Sequence, residues 1–455
     1  MLAGVEKEFQ RKETGMLKLN ETHDAALTSW VDSANEAGAD FPVQNLPFGV
    51  FTDPQTGKGK VGIAIGDMIF DITAARAKGV IGGAADDAAG ACSGETLNGL
   101  MAMGGRHWSA LRVAASQALR YDTEDGEAAE ALADEILVAQ ADVTMRLPAQ
   151  IGDYTDFYAS IFHATNVGMM LRPDNPLMPN YKHIPIAYHG RASSIVVSGE
   201  GCKRPVGQVK SPDADVPSFG PSMAFDYETE IAFYVGPGNP QGQPVSIGEA
   251  EDHIFGLSIL NDWSARDIQA WEYQPLGPFL AKSFASHVSP WVVTMEALAP
   301  FRIGAYARPS DDPTPLPYLL SDANEAAGGF DVQIEVSISS ETMRAEDVPP
   351  EVLAVTNMQN LYWTIFQMLT HHTSNGCNLR PGDMMGTGTI SGPTEDALGS
   401  ILEITKRGAN PITLPTGEER KFLGDGDELI MRAWCEREGA RGIGFGECRA
   451  VVEGA

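Results

Sequence analysis

The chain has 455 residues, of which 43% are hydrophobic and 20% are charged, so it is long enough for a substantial core and for two or three domains. Its 61 acidic residues outnumber 32 basic ones and give a formal net charge of −29, which repels nucleic-acid phosphates and anionic lipid. We therefore expect no nucleic acid and no membrane as a partner, and no apolar run reaches the roughly 18 residues of a membrane helix.

The cysteines and the first residues bear on the compartment. The five cysteines are widely spaced and form no CxxC motif, which indicates a reducing environment rather than a disulfide framework or a thiolate metal site. Residues 1–11 contain no apolar signal segment. We therefore expect a cytoplasmic protein.

The first third of the chain divides into an extension and a small domain. Residues 1–30 are predicted to be a polar, weakly ordered extension. A domain over 31–147 follows, with helices predicted at 95–118 and 124–139 from their content of Ala, Leu and Glu. Short β-type runs separated by turns predict a small β-barrel or sheet in this domain, at 48–51, 60–65 and 68–72.

Strands dominate the second domain, predicted over 148–455. The candidate strands are 194–197, 230–235, 254–260, 291–295, 330–337, 402–405 and 428–433. One amphipathic helix is predicted near 351–371, because its apolar residues share one face. The layout indicates a mainly β structure with few helices, and not alternating βαβ units.

Glu228 and Glu230 flank Thr229 just before the apolar run 231–235. In a strand, side chains at i and i+2 point to the same face, so these carboxylates would lie side by side. Two such charges repel unless a cation lies between them, and Ca²⁺ and Mg²⁺ prefer oxygen ligands of this kind. The alternative is an exposed strand end with two solvated glutamates, which is the commoner case for an isolated pair.

Asp262 follows the apolar run that ends at Leu260, and it precedes Trp263. This is not a typical position for a solvated carboxylate. Asp262 is either a further ligand for a cation or part of a helix start in which Asp262 or Ser264 is the N-cap. The local sequence leaves both interpretations open.

A third acidic segment lies at 153–158, where Asp153 and Asp156 stand among three aromatic residues. His163 follows five residues after Tyr158. Histidine titrates near neutral pH, and a histidine close to a carboxylate is the usual general base. The alternative is a structural histidine that donates to a backbone carbonyl.

Two cations are candidates for offsetting the charge of such a carboxylate site. Lys282 lies in the apolar and aromatic stretch 280–284, and Arg266 lies four residues after Asp262; both could stabilise an oxyanion. The alternative for Lys282 is a surface lysine whose stem covers apolar residues.

Glu403 interrupts an apolar run that is predicted to be a strand, where alternation favours a solvent-facing side chain.

Motifs for nucleotide binding are absent from the sequence. The run GTGTISG at 386–392 has serine where the last glycine of GxGxxG is required, so no dinucleotide fold is predicted.

Several segments together resemble the fumarylacetoacetate hydrolase family, over nearly the whole chain from about residue 41. The matching stretches are FPVQNLPFGVF at 41–51, a run from 152 through HATNVG at 163–168 to HGRASS at 189–194, NDWSARD at 261–267, and THH at 370–372 with NGCNLRPGD at 375–383. The resemblance implies a small SH3-like amino-terminal barrel followed by a mixed β-sandwich roll, with assembly as a homodimer.

The resemblance also implies a divalent metal ion, Ca²⁺ or Mg²⁺. The residues that match the family's metal ligands are Asp156, Glu228, Glu230 and Asp262. In some family members a second ion, Mg²⁺, lies near the residues that match Asp262 and Lys282 and near a threonine. Ser286 stands at that threonine position and keeps the hydroxyl.

Roles in catalysis and binding are implied for further residues. His163 matches the general base, and Glu403 matches the partner that orients it. The groups that stabilise the oxyanion are matched by Arg266, Gln269 and Lys282. The substrate-contacting positions are matched by Tyr158, Arg172, Tyr188, Gln269, Tyr273 and Thr389.

The implied reaction is the metal-dependent hydrolysis of the carbon–carbon bond of 4-fumarylacetoacetate, a small diketo acid, to fumarate and acetoacetate. This is the final step of tyrosine and phenylalanine catabolism. Water activated by His163 would attack the diketone bound to the metal, and the carbanion would leave as an enolate stabilised by the metal. The alternatives are another activity on the same carboxylate core (an acylpyruvate hydrolase, or a keto-acid decarboxylase or isomerase) and a non-catalytic metal-binding protein, which would need neither His163 nor Glu403.

Overall fold

The structure, a computed structural model, describes residues 18–455. It is mainly β with few helices, which confirms the predicted fold class. No helix within residues 18–455 is long and apolar enough to cross a membrane. Short 3-10 helices connect the main elements, at Glu21–His23, Asp32–Asn35, Gly83–Ala85, Gln140–Asp142, Ala192–Ser194, Ala250–His253, Ala299–Phe301, Pro317–Leu319 and Met358–Asn360.

The amino-terminal unit is a five-stranded antiparallel sheet covered by short helices. Its strands pair in the order β4-β3-β2-β1-β5, and the Gly66-Asp67 turn joins β2 to β3 with Gly66 at φ +56°. The strands are β1 Phe48–Thr52, β2 Gly59–Ile65, β3 Met68–Asp71, β4 Leu137–Ala139 and β5 Met145–Arg146. The helices are α1 Ile72–Ala77, α2 Asp86–Ala91, α3 Asn98–Met101, α4 Gly105–Leu119, α5 Glu124–Glu130 and α6 Ala133–Ile136.

Residues 18–30 pack on this unit, so for them the prediction of a weakly ordered extension is wrong; residues 1–17 lie outside the described part of the chain. The buried Arg112 guanidinium donates to Thr22 Oγ1 at 3.0 Å and to two backbone carbonyls. Ser29 Oγ donates to the carbonyl of Leu119 at 2.6 Å. Because these polar side chains find buried partners, a polar segment is fixed without an apolar pattern.

The second unit contains twenty-one strands and six α-helices within the described residues. The strands are β6 Tyr154–Phe157, β7 Ala187–Gly190, β8 Ile195–Val197, β9 Cys202–Lys203, β10 Val206–Val209, β11 Ser218–Pro221, β12 Phe225–Asp226, β13 Thr229–Val235, β14 Ile254–Asp262, β15 Ser264–Ala265, β16 Ser286–Val288, β17 Val293–Thr294, β18 Arg302–Ile303, β19 Gly329–Phe330, β20 Gln333–Ser339, β21 Glu351–Asn357, β22 Met384–Gly386, β23 Ile412–Thr413, β24 Glu419–Arg420, β25 Glu428–Cys435 and β26 Ile443–Glu453. The helices are α7 Ile161–Leu171, α8 Arg266–Glu272, α9 Asp322–Ala327, α10 Glu341–Ala345, α11 Ile365–Thr373 and α12 Ile401–Ile404.

Two sheets dominate this unit. The larger runs β7-β6-β22-β13-β14-β16-β8, with β17 also paired to β14, and the smaller runs β21-β20-β25-β26-β9. Their facing apolar side chains form the main core. β13 is buried on both faces: Ile231 and Phe233 enter the main core, whereas Ala232 and Tyr234 enter the core shared with the amino-terminal unit. A strand buried on both faces explains the continuous apolar run after Glu230.

The two units share a core and a backbone contact. The backbone N–H groups of Phe48 and Val292 each donate to the other residue's carbonyl, at 3.0 and 2.7 Å. The larger sheet is therefore supported on both sides, which fixes the strands that carry the polar residues described below.

Two local predictions are wrong. Residues 351–357 are strand β21 and not helix, because β20 supplies ladder hydrogen bonds to them; the helix α11 begins only at Ile365, where Thr364 and Gln367 form a capping box. The strand predicted at 402–405 is instead the short helix α12, whose N-cap Ser400 accepts from the backbone N–H of Glu403 at 3.4 Å.

Candidate active site

Four carboxylates meet at one edge of the larger sheet. Asp156 lies on β6, Glu230 is the second residue of β13, and Asp262 ends β14, while Glu228 directly precedes β13. β22 runs between β6 and β13, and β13 pairs with β14, so residues distant in sequence become neighbours. One oxygen of each carboxylate lies within 4.8 Å of those of the other three. All four side chains are buried, which excludes the interpretation of Glu228 and Glu230 as solvated residues.

Two glycines permit this close approach. A Cβ on Gly386 would lie 2.5 Å from Asp156 Oδ1 and 2.9 Å from Glu230 Oε2, so no larger residue fits without displacing the carboxylates. Gly388, with φ +75°, directs its backbone N–H at the same two oxygens, at 3.1 and 3.0 Å. The run that fails as a nucleotide motif therefore builds part of the carboxylate site.

The carboxylate cluster fits a hard divalent cation. Glu230 Oε1 is buried and, among residues 18–455, has no hydrogen-bond partner, although a buried acceptor normally has one. Burial raises the pKa of Asp156 and of Glu230 well above the usual range, and the neighbouring carboxylates raise both further. A divalent ion among these oxygens would supply the missing partner and offset the repulsion. Asp156, Glu228, Glu230 and Asp262 are the residues that could hold it.

Asp262 is fixed by three donors. It accepts from Tyr188 Oη at 2.7 Å, from Ser286 Oγ at 2.7 Å and from Lys282 Nζ at 2.9 Å. The N-cap of α8 is Ala265, which has no side-chain cap, so the interpretation of Asp262 or Ser264 as the N-cap is wrong. Of the predicted second-ion residues, Lys282 and Ser286 therefore both contact Asp262.

Two cations hold Glu228. Arg266 Nη1 donates to Glu228 Oε1 at 2.8 Å, and Lys282 Nζ donates to Glu228 Oε2. Burial alone would raise the pKa of Glu228, but Lys282 and Arg266 bring it well below its usual range. Lys282 is itself buried, which excludes the interpretation of a surface lysine. Burial opposes its charge, yet Asp262 and Glu228 raise the Lys282 pKa above its ordinary value, so the site holds fixed charges of both signs.

His163 lies beside this cluster on α7, whose N-cap Ser160 starts the helix just before it. Its Nδ1 is 2.7 Å from Glu403 Oε2, and its Nε2 is 3.9 Å from Glu228 Oε1. A carboxylate is an acceptor only, so Nδ1 carries the hydrogen and Nε2 presents a lone pair toward the carboxylate cluster. Tyr158 packs edge-on against the imidazole, with the ring centroids 5.4 Å apart.

Glu403 is buried, contrary to the solvent-facing position that strand alternation predicts. Besides His163, it accepts from Asn166 Nδ2 at 2.9 Å, from Ser400 Oγ at 2.8 Å and from Ser391 Oγ at 2.9 and 3.0 Å. Burial by itself would raise its pKa, but the nearby His163 and the hydrogen bonds from His163, Asn166 and Ser400 lower the pKa of Glu403 below the usual value. Glu403 is therefore an ionised partner for His163.

Arg266 connects the cluster to α8. Its Nη1 also lies 3.2 Å from Gln269 Oε1, and its Nε donates to Asp226 Oδ2 at 2.7 Å. Arg266 Nη2 is buried and has no partner within the described part of the chain. An unpaired buried donor costs free energy, so Arg266 Nη2 is available to an oxygen of a bound molecule.

The remaining predicted substrate contacts are Thr389, Arg172 and Tyr273. Thr389, next to Gly388, has a buried hydroxyl without a partner among residues 18–455. Arg172 caps α7 and donates to the carbonyl of Pro176 at 3.2 Å. Tyr273 caps α8, one turn beyond Gln269, and its hydroxyl accepts from Gln274 Nε2 at 3.0 Å. Within residues 18–455, neither Arg172 nor Tyr273 forms a hydrogen bond with any of the four carboxylates.

Three residues of the site were missed in the sequence. Gly386 and Gly388 could have been found, because two glycines in a strand-like run indicate that other groups approach the backbone closely. Asp226 offers only a weak signal, an acid two residues before Glu228, and its partners are distant in sequence.

Comparisons with known proteins cover both units. Residues 44–148 match the family description "Fumarylacetoacetase N-terminal", and residues 154–453 match "Fumarylacetoacetate (FAA) hydrolase C-terminal". The fumarylacetoacetase of Caenorhabditis elegans is 52% identical over 418 residues, which cover 91% of this chain and 96% of that protein. Those of Homo sapiens, at 47% identity with the same coverage, and of Dictyostelium discoideum, at 46% over 94% of this chain and 98% of that protein, are also similar. The chain belongs to the fumarylacetoacetate hydrolase family.

Proposed function

We propose that the protein hydrolyses the carbon–carbon bond of 4-fumarylacetoacetate, which gives fumarate and acetoacetate, as the last step of tyrosine and phenylalanine catabolism. The observation that carries the proposal is the buried His163–Glu403 pair, whose free imidazole nitrogen faces a cluster of four carboxylates. The names of relatives that match nearly their full length support the same substrate. A metal-binding protein without catalysis would have no use for an oriented imidazole.

Asp156, Glu228, Glu230 and Asp262 would hold the divalent ion, and their oxygen-only donor set favours Ca²⁺ or Mg²⁺. When bound, such an ion supplies Lewis acidity for the two oxygens of a 1,3-diketone and for the charge that develops there. A second Mg²⁺ would lie near Asp262, which both Lys282 and Ser286 contact.

His163 is the general base of this proposal. Its Nε2 takes a proton from water, and the water oxygen bonds to the carbonyl carbon at the bond to be broken. Glu403 keeps the hydrogen of the neutral imidazole on Nδ1 and stabilises the imidazolium that forms. Because Glu403 also accepts from Asn166, Ser391 and Ser400, its position is fixed before the reaction.

Charge on the attacked oxygen is met by groups of this chain. The unpartnered Arg266 Nη2 is a buried donor, and Lys282 supplies a fixed positive charge nearby. Gln269 is held against Arg266 and would contribute its amide. When the alkoxide collapses, the carbon–carbon bond breaks, its electron pair leaves with the acetoacetate fragment, and the imidazolium of His163 returns the proton to that carbon.

Substrate contacts are proposed for Tyr158, Arg172, Tyr188, Gln269, Tyr273 and Thr389. The contacts that support these assignments differ from residue to residue. Tyr158 packs on His163, Tyr188 binds Asp262, and the Thr389 hydroxyl is buried without a partner among the described residues. Arg172 is the cation among them and would bind the terminal carboxylate of a diketo acid.

We infer assembly as a homodimer. Exposed apolar side chains lie on and just after the β10–β11 hairpin and in the segment after α8, and the hairpin packs against α8 where Gly207 approaches Ile268. They include Phe219, Met223, Leu276 and Phe279. An apolar patch of this kind is typical of an interface. Sedimentation of the wild-type protein and of Leu276→Ser tests the inference: a stable monomer for both contradicts it.

A cytoplasmic location is also proposed. All five cysteines are free, and four of them are buried without a disulfide partner, which suits a reducing compartment.

The experiment that tests the function is a comparison of substrates. The protein is incubated with 4-fumarylacetoacetate, and fumarate and acetoacetate are quantified by NMR; parallel reactions contain an acylpyruvate or oxaloacetate. We expect equimolar fumarate and acetoacetate at a rate far above the other reactions. If only oxaloacetate is decarboxylated, or only the acylpyruvate is cleaved, the proposed substrate is wrong.

A further inference from the structure

Asp226 is a fully buried carboxylate outside the four-carboxylate cluster. It ends strand β12, which pairs with β15 so that Asp226 faces Ser264 in register. Burying a carboxylate is costly unless it is well paired. Asp226 has four hydrogen-bond donors around it, so its place in the structure is closely defined.

One side of Asp226 binds the cation of the site. Its Oδ2 accepts from Arg266 Nε at 2.7 Å. Arg266 in turn holds Glu228 through Nη1, at 2.8 Å, and leaves Nη2 without a partner within the described part of the chain. A guanidinium is planar, so fixing Nε fixes the direction in which Nη1 and Nη2 point.

The other side of Asp226 binds the start of α12. Its Oδ1 accepts from the backbone N–H of Ile401 at 2.8 Å, and its Oδ2 accepts from that of Leu402 at 3.2 Å. The next residue is Glu403, the partner of His163 Nδ1. The Asp226 carboxylate therefore connects Arg266, which would stabilise negative charge on the substrate, with Glu403, which orients His163.

We propose that Asp226 is a positioning residue that fixes the His163–Glu403 pair at its distance from Arg266 and Glu228. The inference rests on the proposed function, because both groups must act on the same substrate atom. Asp226 does not face the substrate; it acts through Arg266 and through the backbone of α12. Both of its oxygens accept from two donors each, counting the N–H of Tyr227, so only a carboxylate satisfies all of them.

Asp226→Asn tests the proposal because it keeps the shape but places an amide among donors. Misplacement of reacting groups by about 1 Å costs about 10²-fold in rate, so we expect kcat to fall by about 10²-fold with little change in KM. The matched control is Asp427→Asn. Asp427 is also buried, binds Arg420 through Nε and Nη2, and accepts a backbone N–H from Gly424, but it contacts none of the site residues named above.

Two readouts separate positioning from loss of stability. In a Glu403→Gln background, Asp226→Asn should reduce kcat by far less than 10²-fold, because Glu403→Gln already disturbs the His163–Glu403 pair through which Asp226 acts. A loss of kcat that came only from lower stability would be equally large in both backgrounds. The Nδ1 proton resonance of His163, observed by NMR with ¹⁵N-labelled histidine, should shift in Asp226→Asn and stay unchanged in Asp427→Asn.

The outcomes are distinct. Wild-type kcat in Asp226→Asn, an unshifted His163 resonance, or an undiminished effect in the Glu403→Gln background would each overturn the positioning role. The NMR readout needs no turnover, so it decides the inference even if the wild-type protein fails to cleave 4-fumarylacetoacetate, a failure that would refute the proposed function instead. If Asp226→Asn does not fold, Asp226→Glu, which keeps the charge but moves it by one methylene, must show the same shift and loss of kcat.

Discussion

Replacement of Glu403 by glutamine removes one charge and introduces amide hydrogens where the structure has only acceptors. Every neighbour of this carboxylate donates to it: His163 Nδ1 at 2.7 Å, Ser400 Oγ at 2.8 Å, Asn166 Nδ2 at 2.9 Å, and Ser391 Oγ. An amide nitrogen that faces His163 would donate to Nδ1 and move the imidazole hydrogen to Nε2. The base would then lack the lone pair with which it takes a proton from water.

The size of the effect follows from this tautomer change. In a Ser-His-Asp triad the corresponding exchange of carboxylate for amide lowers kcat by about 10⁴. We expect a similar fall in kcat for Glu403→Gln. If the amide nitrogen faces Asn166 instead, two donors oppose each other, and a buried unsatisfied donor costs about 1–3 kcal/mol of stability.

The assay measures acetoacetate release for kcat and KM, and calorimetry with Ca²⁺ or Mg²⁺ for metal affinity. Glu403 makes no hydrogen bond to the four carboxylates, so metal affinity should stay near the wild-type value. Glu418→Gln is the matched control, because Glu418 accepts from Ser340 Oγ, Thr416 Oγ1 and Arg420 Nη2. Wild-type kcat in Glu403→Gln, or an equal loss in Glu418→Gln, would refute the role of the His163–Glu403 pair.

Three further predictions address the base, the carboxylate cluster and the amino-terminal segment. His163→Ala should lower kcat by about 10²–10⁴-fold with metal affinity nearly intact, since Nε2 lies 3.9 Å from Glu228; unchanged turnover would remove it from the mechanism. Gly386→Ala should weaken metal binding in calorimetry by about 10–100-fold, because its Cβ would lie 2.5 Å from Asp156 Oδ1, whereas Gly105→Ala, which meets open space, should not. Burial lowers the pKa of His23, which donates from Nε2 to the Glu296 carbonyl; stability in urea should therefore fall as pH drops below about 6.5, and an equally steep fall in His23→Gln would contradict this.

Much of the fold could be predicted because burial imposes patterns on the sequence. The run after Glu230 is continuously apolar because β13 has a core on each face. The errors arise where a distant partner decides the local structure. Residues 351–357 have spacing that suits a helix, but the exposed backbone of β20 recruits them as a strand. Local periodicity contains no information about that partner.

The residues of the candidate site likewise differ in how far the local sequence could predict them. Single carboxylates such as Glu230 and Asp262 were ambiguous, because a side chain's burial depends on which strands become neighbours. The resemblance to a family supplied the grouping that local reasoning could not. The helix at Glu403 did carry a local signal, a serine three residues before an acid, which is typical of a helix N-terminus. Asp226 acts through contacts some 40 and 175 residues away.

The most direct test of the account is turnover after removal and return of the metal. The protein is treated with a chelator, transferred to metal-free buffer, and assayed for fumarate and acetoacetate from 4-fumarylacetoacetate before and after addition of Ca²⁺ or Mg²⁺. We expect the chelated protein to be inactive and one of these ions to restore equimolar products, because the buried oxygens of Asp156, Glu228, Glu230 and Asp262 would hold the ion. Undiminished turnover in the chelated protein, with no ion bound, would contradict it.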